Sequence, residues 1–228
     1  MGAVATTIMS GTVRNFFPLP TLPSPLLYRS GRPVRRASPP TNTSGAPDFF
    51  VTGAGPMVEI FDDRIEITNP GEPLVDPQRF VDTPPRSRNE ALASLMRRFR
   101  ICEERGSGID KVVSQVELFQ LPAPLFESPE GFTRTVLFAH KPLSAMDKAD
   151  RVRACYLHAC LCFVTRKEMT NSTLRARFGV EEQNRSTVSR LLREAVEAGA
   201  IVPADPDAAP KLRRYLPFWA GARAEGRR

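Results

Sequence analysis

Proline placement divides this chain before any other property does. Pro18, Pro20, Pro23, Pro25, Pro33, Pro39, Pro40, Pro47 and Pro56 interrupt the first 56 residues and alternate with Ser, Thr and Gly. Each removes a backbone donor and fixes φ, so no long helix or interior strand fits between them. Without an apolar period the stretch buries too little surface to offset its ordering entropy, and residues 1–56 are expected to be a disordered Pro-rich segment. The same Arg-rich, nearly acid-free composition matches an organellar transit peptide, although Arg32, Arg35 and Arg36 lie among prolines rather than on an amphipathic helix.

Ordered structure is expected from Met57. Val58-Glu59-Ile60-Phe61 and Arg64-Ile65-Glu66-Ile67-Thr68 alternate around Asp62-Asp63, the pattern of a β-hairpin. Asn89 can cap a helix with Leu92, Leu95, Met96 and Phe99 on one face. Gly106-Ser107-Gly108 separates it from a second helix, whose Ile109, Val112, Val113, Val116 and Phe119 should pack on the hairpin. Pro122 and Pro124 stop that helix, and Phe132 to His140 supplies a further strand. Residues 57–141 are taken as one domain and 142–149 as a linker.

Helical spacing resumes after Asp150. Val152, Cys155, Tyr156, Ala159 and Phe163 mark one helix, and Thr170 or Asn171 caps a short one ending at Gly179. A third, about Glu181 to Ala198, directs Val188, Leu191, Leu192 and Ala195 inward. Gln183, Asn184, Arg185, Ser186, Thr187, Ser189, Arg190 and Arg193 then point outward or flank that face. Their amides, hydroxyls and guanidinium groups can pair with base edges and phosphate oxygens. Two short strands around the polar loop Asp205 to Pro210 follow, and Lys211, Arg213 and Arg214 lie on the returning arm. Three helices and a basic β-arm have the outline of a winged helix-turn-helix over residues 150–220, with 221–228 as a disordered tail. A three-helix bundle with a solvated basic face, or a winged helix used for protein contact, fits the same pattern.

Charge agrees with this placement. Residues 57–149 carry 12 basic and 15 acidic side chains, whereas 150–228 carry 15 and 9. The four cysteines form no CxxC pair, which points to a reducing, cytoplasmic setting, and no apolar run reaches membrane-spanning length. Cys155, His158 and Cys162 share a helix face, but it coincides with the apolar stripe, so buried thiols are expected there rather than zinc. No Gly-Lys dipeptide occurs, which argues against a P-loop motor, and neither HExxH nor G-x-S-x-G is present. Gly106-Ser107-Gly108 at a helix N-terminus can cradle an anion or can simply form a tight turn.

The strings Asp63 to Gly71, Ser87-Arg88-Asn89 and Glu103 to Ile109 resemble the ATP-binding domain of bacterial RecG-like and Schlafen/AlbA-type regulators. Arg175 to Gly179 and Tyr215 to Ala220 are similar to the C-terminal winged helix of that family. The resemblance implies an α+β fold: a partial histidine-kinase-type ATPase α/β sandwich, then the winged helix, with the N-terminal AlbA-like domain missing. It also implies ATP with magnesium as cofactor, Asn69 and Gly71 in one nucleotide-contacting loop, and Gly106, Ser107 and Gly108 in a second. The helix that would carry the magnesium-binding Asn is not found before Met57, Glu72 replaces a glycine and Glu90 a proline, so weak or absent ATP binding is expected. The function expected is that of a non-enzymatic, double-stranded DNA-binding regulator, with homodimerisation or docking on a full-length relative as further partners. The alternative is an ATP-dependent enzyme or nucleotide switch binding ATP through Gly106 to Gly108.

Overall fold

A computed structural model describes residues 55–84, 86–99, 108–209 and 212–225. The expected Pro-rich disorder therefore falls, up to residue 54, outside the described residues. The fold is mixed α+β and divides into two compact units. The first holds Pro124–His140 and the described residues up to Ile109; the second holds Asp110–Ala123 and Lys141 onward.

The first unit is built on an antiparallel sheet of β1 (Met57–Ile60), β2 (Arg64–Pro70), β3 (Leu125–Glu127) and β4 (Phe132–Phe138), in the order β1-β2-β4-β3. The expected hairpin is present: Ile60 pairs with Ile65 and Val58 with Ile67, and the Phe61 amide donates to the Arg64 carbonyl at 2.8 Å across Asp62-Asp63. Period-2 alternation sends Ile65 and Ile67 into the core. On the other face Arg64 bonds Glu66 at 2.5 Å. Phe80 packs edge-on against Phe126 with centroids 5.6 Å apart. In α1 (Glu90–Arg98) Asn89 caps as expected, its Oδ1 accepting from the Leu92 amide at 3.2 Å. Leu95 and Phe99 are nevertheless exposed.

The second unit contains most of α2 (Gly108–Leu118), then α3 (Lys148–Val164), α4 (Asn171–Phe178), α5 (Arg185–Glu197), the strand pair β5 (Ile201–Pro203) and β6 (Tyr215–Pro217), and α6 (Phe218–Glu225). Four expectations change here. From Asp110 onward, α2 groups with this unit instead of with the hairpin, because its polar end is bonded to α3 and α4, a tie that apolar spacing does not encode. Residues 142–149 are not an open linker: Leu143–Ala145 forms a 3-10 turn, and Asp147 caps α3 by accepting from the Asp150 amide at 2.7 Å. The third expected helix starts later, since Glu182–Asn184 is a 3-10 turn and α5 begins at Arg185. The expected disordered tail is helical through Glu225. Its first turn is anchored, with Trp219 Nε1 donating to Tyr156 OH at 3.1 Å and its ring edge-on to Phe163 at 4.9 Å.

Local chemistry explains the element ends. Thr170 and Thr173 form a reciprocal capping box at the start of α4. Gly179 ends α4 at φ 63°, where L side chains are strained, with the Val180 amide returning to the Arg175 carbonyl at 2.9 Å. Asp150 is buried between Arg153 at 2.6 Å and Lys141 at 3.2 Å. Burial opposes its charge, but the bonds from Arg153 and Lys141 outweigh it and hold the carboxyl below the usual carboxylate range. Val188, Leu191, Leu192 and Ala195 of α5 are buried with Leu174, Met169 and Ile201. Among the described residues no helix is long and apolar enough to cross a membrane.

Candidate nucleic-acid interface

The polar face of α5 follows from its apolar one. With Val188, Leu191, Leu192 and Ala195 turned inward, Arg185, Ser186, Ser189, Arg190 and Arg193 are exposed. Gln183 and Asn184, in the 3-10 turn, are exposed as well, and Thr187 is half-buried. Asn184 sits at the N-cap without a capping bond. Two exposed acids precede this face: Glu181 accepts from Gln183, and Glu182 pairs with Arg175. The N-terminal half of α5 is held in place by Asn171, whose amide donates to Ser189 Oγ at 3.1 Å and to the Arg185 carbonyl at 3.3 Å.

In the β5–β6 arm one arginine is ion-paired and another is hydrogen-bonded to the backbone. The Ala204 amide donates to the Arg214 carbonyl at 2.9 Å and closes the base of the loop. Arg213 is half-buried and gives Nε to the Ala208 carbonyl at 3.1 Å, while Arg214 is exposed but lies 2.5 Å from Glu168. Lys211 falls outside the described residues.

Of the residues expected at a nucleotide, Asn69 is buried in β2 and Gly71 follows it at φ 101°. The Gly71 amide donates to the Gly131 carbonyl at 2.8 Å, and its own carbonyl accepts from Thr133 Oγ1 at 2.9 Å. Gly108 opens α2, with nothing within 4 Å of where a Cβ would stand. Gly106 and Ser107 lie outside the described residues.

A buried polar cluster lies in the second unit. His158 Nδ1 faces both Glu117 oxygens at 3.0 and 3.1 Å, and Nε2 lies 3.2 Å from Thr173 Oγ1 and 3.6 Å from Cys162 Sγ. Thr173 Oγ1 gives its single hydrogen to the Thr170 carbonyl at 3.1 Å and accepts from the Thr170 amide at 3.0 Å. Nε2 must therefore donate to it, and Nδ1 must donate to the carboxylate, so His158 is an imidazolium. Burial opposes that charge, but the bonds to Cys162 and Glu117 outweigh it and raise the imidazole to about 9. Arg177, also buried, donates Nη2 to the Leu121 carbonyl at 2.6 Å and holds Nε 3.7 Å from Glu117. Among the described residues no group of three or more His, Cys, Asp or Glu could hold a metal ion.

With this geometry in view, comparison with known proteins gives one family. Residues 53–137 match the model described as the putative ATP-dependent DNA helicase recG C-terminal. Over that segment the chain is similar to a RecG C-terminal-like, ATPase-type domain. The DIP2311 protein of Corynebacterium diphtheriae, a solved structure, is 18% identical with a TM-score of 0.41. The likeness covers 77% of this chain and 38% of that one, so the chain spans well under half the length of that protein. No curated protein matches.

Sequence reasoning reached the exposed face of α5 but missed Asn171 as its support and the cluster of Glu117, His158, Thr173 and Arg177. A signal was available for one of these. Asn171 is a polar residue one position inside a capped helix start, and such a side chain is well placed to reach a neighbouring helix. Glu117 and Arg177 are 60 positions apart in the chain and have no local signature.

Proposed function

We propose that the second unit is a winged helix that binds double-stranded DNA, with α4 and α5 as the helix-turn-helix, β5–β6 as the wing, and a transcriptional regulator as the whole. The observation that carries this reading is the exposed row Gln183, Asn184, Arg185, Ser186, Ser189, Arg190 and Arg193 along one side of α5. Arg185, Arg190 and Arg193 would contact phosphate, and Gln183, Asn184, Ser186 and Thr187 base edges. The wing would add less, because Arg213 and Arg214 already have partners. Replacing Arg190 and Arg193 with Ala is expected to weaken duplex binding and to flatten its salt dependence by about one unit of log K per log salt for each phosphate no longer neutralised. Fluorescence anisotropy over a salt series measures this, and an unchanged affinity and slope would overturn the reading.

The recG-like match over residues 53–137 favours a second reading, a nucleotide-dependent switch. Two features speak for weak ATP affinity: Asn69 is buried, and the Gly71 amide is already bonded to the Gly131 carbonyl. Titration calorimetry with ATP and magnesium separates the readings, micromolar binding favouring the switch.

A further inference from the structure

We infer that Arg175 of α4 is a further phosphate-contacting residue and that Glu182 is its internal competitor. In the free protein the carboxylate holds the guanidinium, and on binding it yields the guanidinium to a DNA phosphate. This exchange presupposes that α4 and α5 bind duplex DNA as proposed.

The position of Arg175 follows from its helix. Asn171 and Arg175 are four residues apart on α4 and so share a face. From that face Asn171 reaches Ser189 Oγ and the Arg185 carbonyl, while Arg175 pairs with Glu182, one residue before the exposed row begins at Gln183. The backbone on both sides of the pair is fixed: the Val180 amide donates to the Arg175 carbonyl at 2.9 Å and the Asn184 amide to the Glu181 carbonyl at 3.0 Å. In a helix-turn-helix the first helix crosses the DNA backbone as the second enters the groove, so a guanidinium at this corner falls where phosphates run.

Two arginines of α4 differ in what holds them. The Arg177 side chain is 1% exposed, donates Nη2 to the Leu121 carbonyl at 2.6 Å and lies against Glu117, so folding bonds fix it. The Arg175 side chain is 15% exposed, and its Nε has no hydrogen-bond partner among the described residues. Its ion pair is with a Glu182 side chain that is 73% exposed. A pair with one partner in water contributes little, and the guanidinium fork that fits a carboxylate fits a phosphate equally well. As with the wing arginines, the pair reduces what Arg175 adds to binding; neutralising Glu182 should return it.

The adjacent acid supplies a control. Glu181 and Glu182 are the two acids between Asn171 and Arg193, and both are exposed. Glu181 accepts from the Gln183 amide and, among the described residues, has no ion pair. Removing either charge lessens repulsion of DNA by a similar amount, but only Glu182→Gln releases an arginine.

The test is fluorescence anisotropy of the full-length protein with a short labelled duplex of mixed sequence, over a salt series. Glu182→Gln should tighten binding roughly threefold more than Glu181→Gln, the range that opening an exposed ion pair costs. That excess should vanish in an Arg175→Gln background, and Arg175→Gln alone should flatten the salt slope by about one unit of log K per log salt. Thermal melts check folding, and because both glutamates are exposed their comparison decides the matter even where Arg175→Gln does not fold. Equal gains from the two glutamates, an excess that survives without Arg175, or an unchanged slope in a folded Arg175→Gln would each overturn the exchange. Such a result leaves the DNA reading standing where binding still falls in the Arg190 and Arg193 variants. A wild type that binds no duplex overturns both.

Discussion

The side-chain amide of Asn171 joins two helices, donating to Ser189 Oγ at 3.1 Å and to the Arg185 carbonyl at 3.3 Å. Ser189 Oγ in turn donates to the same Arg185 carbonyl at 3.2 Å, so one small network sets where α5 begins. Asn171→Ala should cost about 1 kcal/mol of stability in thermal melts, the net worth of such bonds. It should also weaken duplex binding several-fold, because the exposed row of α5 loses its fixed starting point. Intact duplex affinity in a destabilised variant would show that this network serves folding only.

Protonation of His158 makes stability depend on alkaline pH. Its folded pKa, about 9, lies above the ordinary value of 6.5, so the stabilisation is full below pH 6.5 and is lost as pH rises through 9. The difference corresponds to at most on the order of 3 kcal/mol. Melting temperatures should fall between pH 6.5 and about 9 in the wild type. In His158→Gln the same range should be nearly flat.

Gly179→Ala is expected to destabilise the second unit by about 1 kcal/mol, through backbone strain more than collision. At φ 63° a Cβ would lie 2.6 Å from Gln120 Nε2. Gln120 is exposed and its amide can swing aside, whereas the left-handed backbone is fixed by the end of α4. Adding Gln120→Ala should therefore recover little in chemical denaturation. Full recovery would assign the cost to the collision.

The anchoring of α6 is separable from its burial. Trp219→Phe removes the bond to Tyr156 OH but keeps a ring beside Phe163, and should cost about 1 kcal/mol. Tyr156→Phe should cost a similar amount, and the double variant less than the sum of the two, because both delete the same bond. Additive losses in denaturant titrations would show that the bond contributes nothing of its own.

Much of the local structure was legible because its causes are local. The turn at Asp62-Asp63, the caps at Asn89 and Thr170, the stop at Gly179 and the inward set Val188, Leu191, Leu192 and Ala195 each follow from a few neighbouring residues. The exposed face of α5 followed directly, since a helix with one buried stripe presents the other side. The partners of the wing arginines were not legible, because Glu168 is distant in sequence from Arg214 and an ion pair leaves no periodic trace.

The amino-acid order by itself determined where helices and strands begin and end, through capping, turn chemistry and apolar spacing acting over a few residues. Tertiary structure alone decided that α2 groups with the second unit, that residues 218–225 form an anchored helix, and that Glu117, His158, Cys162, Thr173 and Arg177 meet. The physical reason is range. Backbone preferences are summed along the chain, whereas burial of charge is settled by which groups arrive together once the chain has closed on itself.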